Sequence, residues 1–126
     1  MRREIALPEE DVELLDQLAR GWETAAVSGA GWCFLHGFPV PEGFNVREAT
    51  LAVRLGAYPQ SALDMVYFHP PLARADGRGI AAISPIMIDG KTFQQWSRHY
   101  NWTPGFDNLA RHVRRASAWL TRELAK

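Results

Sequence analysis

Residues 58–70 read Tyr-Pro-Gln-Ser-Ala-Leu-Asp-Met-Val-Tyr-Phe-His-Pro, and the fold prediction depends on this stretch. A Tyr-Pro step stands before the mostly apolar run 62–68, and a His-Pro step follows that run. Proline cannot donate to the hydrogen-bond ladder of a sheet, so it is typical of the positions that flank a strand. We therefore predict a β-strand over 62–68, with Tyr58-Pro59 and His69 at its two ends.

Working towards the N-terminus, three more strand-like runs precede this one at short intervals. The three small residues Gly29-Ala30-Gly31 join the first two runs, which predicts a hairpin. The third run alternates apolar and polar residues with the period of a half-buried strand. The four predicted strands are 22–28, 32–38, 49–55 and 62–68. Consecutive strands with short connections predict an antiparallel meander over 22–68.

Helices are predicted on both sides of this meander. Residues 8–19 have Pro8 at a favourable first position, acidic residues in the first turn and leucines at helical spacing. Residues 106–125 have apolar residues on one helical face and arginines mostly off that face. Those arginines are interpreted either as a solvated face or as a basic surface for an acidic partner.

Between the meander and the last helix, residues 69–105 form an irregular segment, which we call the flap. It contains four prolines and four glycines. Within it Asp89-Gly90 could close a small hairpin between 86–88 and 92–93. The whole chain, 1–126, is thus predicted to be a single α+β domain: an N-terminal helix, a four-stranded antiparallel meander, an irregular flap and a C-terminal helix.

The bulk composition argues against several classes of protein. The 126 residues have a formal net charge of zero, which does not indicate nucleic acid or an anionic membrane as the main partner. The single cysteine, Cys33, excludes an internal disulfide framework. The first residues have no apolar run behind their two arginines, and no stretch approaches the ~20 apolar residues of a membrane span. We expect a cytoplasmic protein that needs no cofactor.

The order of the elements and of the proline steps resembles the ubiquitin-conjugating-enzyme superfamily. In that family a Tyr-Pro step precedes the fourth strand and a His-Pro-Asn step follows it, as Tyr58-Pro59 and His69-Pro70 do here. Trp102-Thr103-Pro104 resembles the Trp-Ser-Pro that precedes the family's second helix. The segments that are similar to its bacterial branch, the prokaryotic ubiquitin-conjugating-like family E, are 36–44, 63–65, 70–72, 75–78 and 96–99.

This resemblance implies a ubiquitin-conjugating-enzyme-like fold and partners from a bacterial ubiquitin-like system. Those partners are a beta-grasp ubiquitin-like protein, an activating-enzyme-like protein and often a JAB-type metallopeptidase. The resemblance also implies which residues catalysis would need. The family's enzymes have a cysteine in the flap, which carries the ubiquitin-like protein as a thioester, and an asparagine after His-Pro, which stabilises the oxyanion during transfer.

Both of these catalytic residues are missing from this chain. No cysteine lies between His69 and Asp107, and a thiolate is the side chain suited to thioester exchange at neutral pH. Pro71 stands in place of the asparagine and offers no hydrogen-bond donor. The leading hypothesis is therefore a non-catalytic module of a bacterial ubiquitin-like modification or defence system. It would bind a beta-grasp protein or its activating enzyme through the sheet or the flap.

An unconventional conjugating enzyme is the alternative hypothesis. The acceptor would be the hydroxyl of Ser97 or Thr92, or the thiol of Cys33. Ser97 and His99 are two residues apart, so they share a face only if they lie on a strand. Cys33 stands in an alternating run beside Trp32, which favours burial of its thiol. A third hypothesis is a structural subunit that shares the fold alone.

The expected binding residues are three members of the flap, Trp96, Arg98 and His99, together with Tyr58 and His69. The resemblance implies that His69 holds the flap by a hydrogen bond, although a histidine there could also act as a general acid or base. Trp96 could instead anchor the flap on the sheet. These alternatives stay open at the level of sequence.

The remaining histidines and aspartates do not predict a metal site. His36, Asp76, Asp89 and His99 are the side chains from which one could be assembled. No pair of them shows a ligand spacing such as His-x-x-x-His, and Cys33 has no cysteine partner. We therefore predict no metal ligands.

Overall fold

The computed structural model describes residues 1–18 and 20–126, and that part of the chain contains two helices and six strands. All six strands belong to one antiparallel sheet with the order β1-β2-β3-β4-β6-β5. The elements are α1 Glu9–Leu18, β1 Gly21–Val27, β2 Ala30–Pro39, β3 Glu48–Arg54, β4 Val66–His69, β5 Ile83–Ile88, β6 Lys91–Trp96 and α2 Leu109–Leu124. The α+β class, with its N-terminal helix, antiparallel sheet and C-terminal helix, is confirmed.

Helix α1 begins at Glu9, one residue after the predicted start, so Pro8 directly precedes the helix. The carbonyl of Pro8 accepts hydrogen bonds from the N–H groups of Asp11 and Val12, which forms the first turn. Three acidic residues in that turn suit the positive end of the helix dipole. Leu15 is buried in the core. Ala19, the last residue of the predicted helix, lies outside the described residues.

The first three strands lie close to their predicted positions. β1 and β2 form the predicted hairpin, in which Val27 pairs with Ala30. The turn consists of Ser28 and Gly29, both with positive φ angles of 50° and 81°, as a two-residue type I′ turn requires. The connection is therefore shorter than the predicted three-residue link.

The strand predicted over 62–68 is shorter than its apolar run, because β4 contains only Val66–His69. Met65 has a φ of 57°, a left-handed conformation that interrupts a strand. Leu63 is buried from a loop, so the apolar run reflects core packing as well as strand structure. His69 ends the strand as predicted. Tyr58-Pro59 instead lies in a turn after β3, where the N–H of Tyr58 donates to the Leu55 carbonyl.

The sheet has six strands rather than the predicted four, because the flap contributes a hairpin to it. Asp89 and Gly90 close this hairpin as predicted, with φ angles of 54° and 77°. The hairpin is longer than predicted, and its second strand pairs with β4, where Tyr67 lies opposite Gln95. This pairing joins residues far apart in the sequence, so no local pattern predicts it.

Helix α2 is shorter than the predicted 106–125 and is capped by Asn108. The side chain of Asn108 accepts a hydrogen bond from the N–H of Arg111 at 2.9 Å. The predicted apolar stripe faces the core, where Leu109, Val113 and Leu120 are buried. Together with one face of the sheet, α1 and α2 enclose the larger hydrophobic cluster.

The opposite face of the sheet forms a second buried cluster without residues from either helix. It contains several aromatic side chains, among them Trp32 and Tyr67, whose rings meet edge to face at 4.9 Å. Arg2 connects the two sides of this cluster through bonds to Glu23 on β1 and Asp89 in the β5–β6 turn, each 2.6 Å long. The side chains on this second face of the sheet therefore bury one another without a helix packed on them.

Candidate functional site

His69 occupies the position at which the resembling family carries its His-Pro step. Its Nδ1 donates a hydrogen bond to the Thr92 carbonyl at 2.8 Å, and its ring packs against that of Phe93 with the centroids 5.4 Å apart. These contacts connect the end of β4 to β6. The histidine thus makes the kind of flap-holding bond that the resemblance implies.

The residues after His69 present no hydrogen-bond donor in the place of the family's asparagine. Pro71 has no N–H, and its carbonyl accepts a hydrogen bond from the Asn45 amide at 3.1 Å. The amide oxygen of Asn45 accepts in turn from the N–H of Ala73 at 2.9 Å. Asn45 therefore uses its amide to hold this loop and does not direct it towards a reacting carbonyl.

The thiol of Cys33 lies in the core. Cys33 is 0% exposed on β2, within the cluster beneath the helices, so the predicted burial is confirmed. Burial raises the pKa of the thiol to about 12. A thiol in this state is protonated at neutral pH and out of reach of another protein's thioester.

His99 forms a pair with Asp64 on the surface. Nδ1 of His99 lies 2.9 Å and 3.0 Å from the two carboxylate oxygens of Asp64, and the His99 side chain is 66% exposed. Such a carboxylate orients an imidazole and leaves its Nε2 free for a partner. Sequence reasoning missed Asp64, because the two residues are 35 positions apart and no local pattern indicates their contact.

Ser97 does not complete a catalytic arrangement with this pair. β6 ends at Trp96, so Ser97 and His99 do not lie on a strand, where they would share a face. The Ser97 hydroxyl accepts a hydrogen bond from the Gln95 amide at 3.3 Å. Across residues 1–18 and 20–126, no hydrogen bond joins Ser97 to His99.

A buried histidine, His112 on α2, connects the two segments that carry this pair. Its Nε2–H donates to the Met65 carbonyl at 2.8 Å, and its Nδ1 accepts from the Tyr100 hydroxyl at 2.7 Å. Met65 follows Asp64 and Tyr100 follows His99. Burial lowers the pKa of His112, which is 0% exposed and therefore neutral. No sequence signal distinguishes it from the apolar residues of the same helical face.

The family model for prokaryotic E2 family E matches residues 7–123. The chain belongs to this family. No curated protein and no solved structure matches it. This prokaryotic E2-like chain is thus a ubiquitin-conjugating-like module of a prokaryotic pathway. The matched range includes His69 and Pro71.

Other predicted site residues of this E2-like chain serve internal contacts. Trp96 is fully buried and leaves no surface for a partner; its indole N–H donates to Gln94 at 2.8 Å. The Tyr58 hydroxyl donates to Asp11 at 2.6 Å and accepts from the N–H of Leu109 at 2.8 Å, which connects α1 to the beginning of α2.

The acidic and histidine side chains considered for a metal site each contact a different residue. His36 contacts Glu23 at 2.7 Å, Asp76 contacts Arg74 at 2.7 Å, and Asp89 contacts Arg2. In the described part of the chain, no three histidine, cysteine or acidic side chains gather as metal ligands. No helix in that part combines the length and the hydrophobicity needed to cross a membrane.

Proposed function

We propose that this chain is a non-catalytic ubiquitin-conjugating-like module that acts in the bacterial cytoplasm within a modification or defence system. It binds a beta-grasp ubiquitin-like protein or the activating-enzyme-like protein, and a JAB-type metallopeptidase can belong to the same assembly. The observation that carries the proposal is the buried Cys33, whose thiol has a pKa of about 12. Thioester exchange requires an accessible thiolate.

The flap side of the molecule, rather than the open sheet, is the binding surface that the geometry supports. The second face of the sheet has its own buried aromatic cluster, and the Arg2 bridge spans that cluster. Of the predicted binding residues, His99 has an exposed side chain, whereas Trp96 is buried. The Arg98 side chain is partly buried and donates a hydrogen bond to the Ala81 carbonyl at 3.1 Å.

Incubation with the activating enzyme, ATP and the beta-grasp protein tests the proposal. We expect the chain to co-purify with one of the two proteins without forming a covalent adduct that thiols cleave. Losing a single oxyanion donor can cost about 10²–10³ in rate, and here the nucleophile is missing as well. A thiol-sensitive band shift that disappears in Cys33→Ser would contradict the non-catalytic function.

The His99–Asp64 pair supports an oxyester-forming enzyme as a second candidate. Asp64 holds Nδ1 of His99, so Nε2 could take the proton of the Ser97 hydroxyl if the two side chains approached each other. Thr92 lacks such a base, since its hydroxyl contacts the Met87 sulfur at 3.2 Å. An adduct that resists thiols, is cleaved by mild base and is lost in Ser97→Ala would favour this candidate.

A further inference from the structure

A groove of about 170 Å³ lies between the segment that follows β6 and the last turn of α2. It shares no lining residue with the His69–Pro71 region. The side chains that line it are Arg98, His99, Trp119, Arg122, Glu123 and Lys126. Two arginines and one lysine against one carboxylate leave an excess of two positive charges. The groove therefore favours an anion.

The floor of the groove is a network of charges around the buried carboxylate of Glu123. The Glu123 side chain is 3% exposed and lies 3.5 Å from a guanidinium nitrogen of Arg98 and 3.0 Å from Nζ of Lys126. The Arg98 guanidinium also stacks on the Trp96 ring at 4.8 Å, which holds it in place. The Glu123 carboxylate thus pairs with both cations of the floor, Arg98 and Lys126. Arg122 is exposed at the rim of the groove.

The end of α2 does not repel an anion here, because its carbonyl groups are already occupied. The buried Arg74 donates to the Glu123 carbonyl at 2.8 Å and to the Leu124 carbonyl at 3.4 Å. Arg78 donates to the Lys126 carbonyl at 2.9 Å. These bonds offset the negative end of the helix dipole. The positive charge of the rim remains available to a ligand.

We propose that this groove binds the C-terminal carboxylate of an extended peptide. The inference rests on the proposed function, in which the peptide is the tail of the beta-grasp protein. A guanidinium matches a carboxylate with two parallel hydrogen bonds, which assigns Arg122 as the main contact. The free Nε2 of His99 contacts the same carboxylate, and the edge of Trp119 packs against the last peptide unit. The chain thus binds the tail through an ion pair instead of a thioester.

The excess charge and the mixed lining favour a peptide carboxylate over a free phosphate. The lining side chains have an excess of two positive charges, and the Asp64 carboxylate, which contacts His99, lowers this local excess to one. A single surplus positive charge suits a monoanion better than a dianion. The rings of His99 and Trp119 provide apolar walls that a free inorganic anion does not use. These features define the probes for the test.

Titration of the full chain with three probes, followed by NMR, tests this site. The probes are a synthetic peptide ending in Gly-Gly with a free carboxylate, the same peptide with a C-terminal amide, and inorganic phosphate. We expect the free acid to shift the indole N–H signal of Trp119 and to bind about tenfold more tightly than the amide. Arg122→Gln abolishes the preference for the free acid. Arg114→Gln, also exposed on α2 but outside the groove, keeps it.

Equal affinity for the acid and the amide, no response to either peptide, or equal losses in both variants would overturn the site. Phosphate binding as tight as that of the free acid would overturn its assignment to a peptide. Binding of the whole beta-grasp protein separates the two proposals. If Arg122→Gln binds that protein as well as wild type does, the groove fails and the proposed function stands. If neither the beta-grasp protein nor the activating enzyme binds wild type, the proposed function fails.

Discussion

Two buried side chains, Cys33 and His112, have protonation states that their surroundings determine. Both are 0% exposed, and in both burial disfavours the charged form. For Cys33 the consequence is an inert thiol. For His112 it is a neutral ring whose two nitrogens have distinct roles, one as donor to Met65 and one as acceptor from Tyr100. Burial thus keeps the Cys33 thiol protonated, and it keeps the His112 ring in the neutral form that connects Met65 and Tyr100.

We expect a thiol reagent to leave Cys33 unmodified in the native protein. A rise of its pKa from 9.0 to about 12 lowers the thiolate fraction about a thousandfold, and burial blocks the reagent as well. Time-resolved labelling at pH 8 with and without denaturant measures this. Ala81→Cys on the exposed flap is the positive control. Native labelling of Cys33 at the rate of that variant would be inconsistent with the structure.

The lowered pKa of His112 predicts that acid destabilises the fold. Because the folded pKa lies below the ordinary value of 6.5, the stability contribution is complete above pH 6.5. It falls as the pH drops below 6.5, by up to about 1.4 kcal/mol per pH unit for one proton. Denaturant unfolding between pH 7.5 and 5 measures this slope.

The His112→Phe variant should be less stable, and its free energy of unfolding should depend less on pH, by the contribution of one proton. Asp11 titrates in the opposite direction, because its burial raises its pKa and acid then favours the folded state. Asp11→Asn therefore serves as the control background, in which the slope from His112 should stay. An unchanged slope in His112→Phe would show that another group causes it.

At the scale of elements, α2 organises the flap through side chains rather than through its capped end alone. His112 connects this helix to Met65, before β4, and to Tyr100, after β6. The Arg115 guanidinium covers the Tyr100 ring at 3.8 Å and binds Asp107 at 2.8 Å. The His99–Asp64 pair lies at the ends of these connections, so α2 determines its position.

Tyr100→Phe should lower the free energy of unfolding by about 1–3 kcal/mol, because it leaves Nδ1 of the buried His112 without a donor. Tyr67→Phe is the matched control: within 1–18 and 20–126 only burial and distant charges act on the Tyr67 hydroxyl, and no hydrogen bond does, so its loss should cost less. Urea denaturation gives both values. Equal values for the two variants would argue against the connection through His112.

At the scale of the whole molecule, one face of the sheet packs against the helices, and the other face has a separate buried cluster of its own side chains. The bridge from Arg2 to Asp89 joins the N-terminal segment to the β5–β6 turn. Against the effect of burial, hydrogen bonds from Arg2 and His36 lower the pKa of Glu23 to about 2, so this carboxylate stays charged. The bridge thus holds together segments from the two ends of the sheet.

Arg2→Gln should therefore loosen the β5–β6 hairpin. Because the bridge is partly exposed, we expect a loss of at most about 1 kcal/mol in stability. Amide hydrogen exchange should be faster around Asp89 and unchanged in α2. Arg47→Gln, which alters an exposed arginine elsewhere, provides the comparison. Uniform acceleration over the whole chain, or none at all, would contradict this role of Arg2.

The sequence by itself determined the features that depend on neighbouring residues. The periodicity of 8–19 predicted α1, and Asp89-Gly90 predicted a turn, because local backbone preferences act over a few residues. It also determined that the flap contains no cysteine and that Pro71 follows the His69-Pro70 step. Both features are visible in the order of the residues alone.

Only the tertiary structure decided which distant residues meet. The apolar run 62–68 indicated burial, but packing rather than pairing buries Leu63, so the strand was predicted too long. The pairing of β4 with β6 and the contact of Asp64 with His99 depend on how the chain returns to itself. A hydrogen bond across 35 residues leaves no periodic signal in either segment, because its free energy arises from a proximity that the whole fold creates.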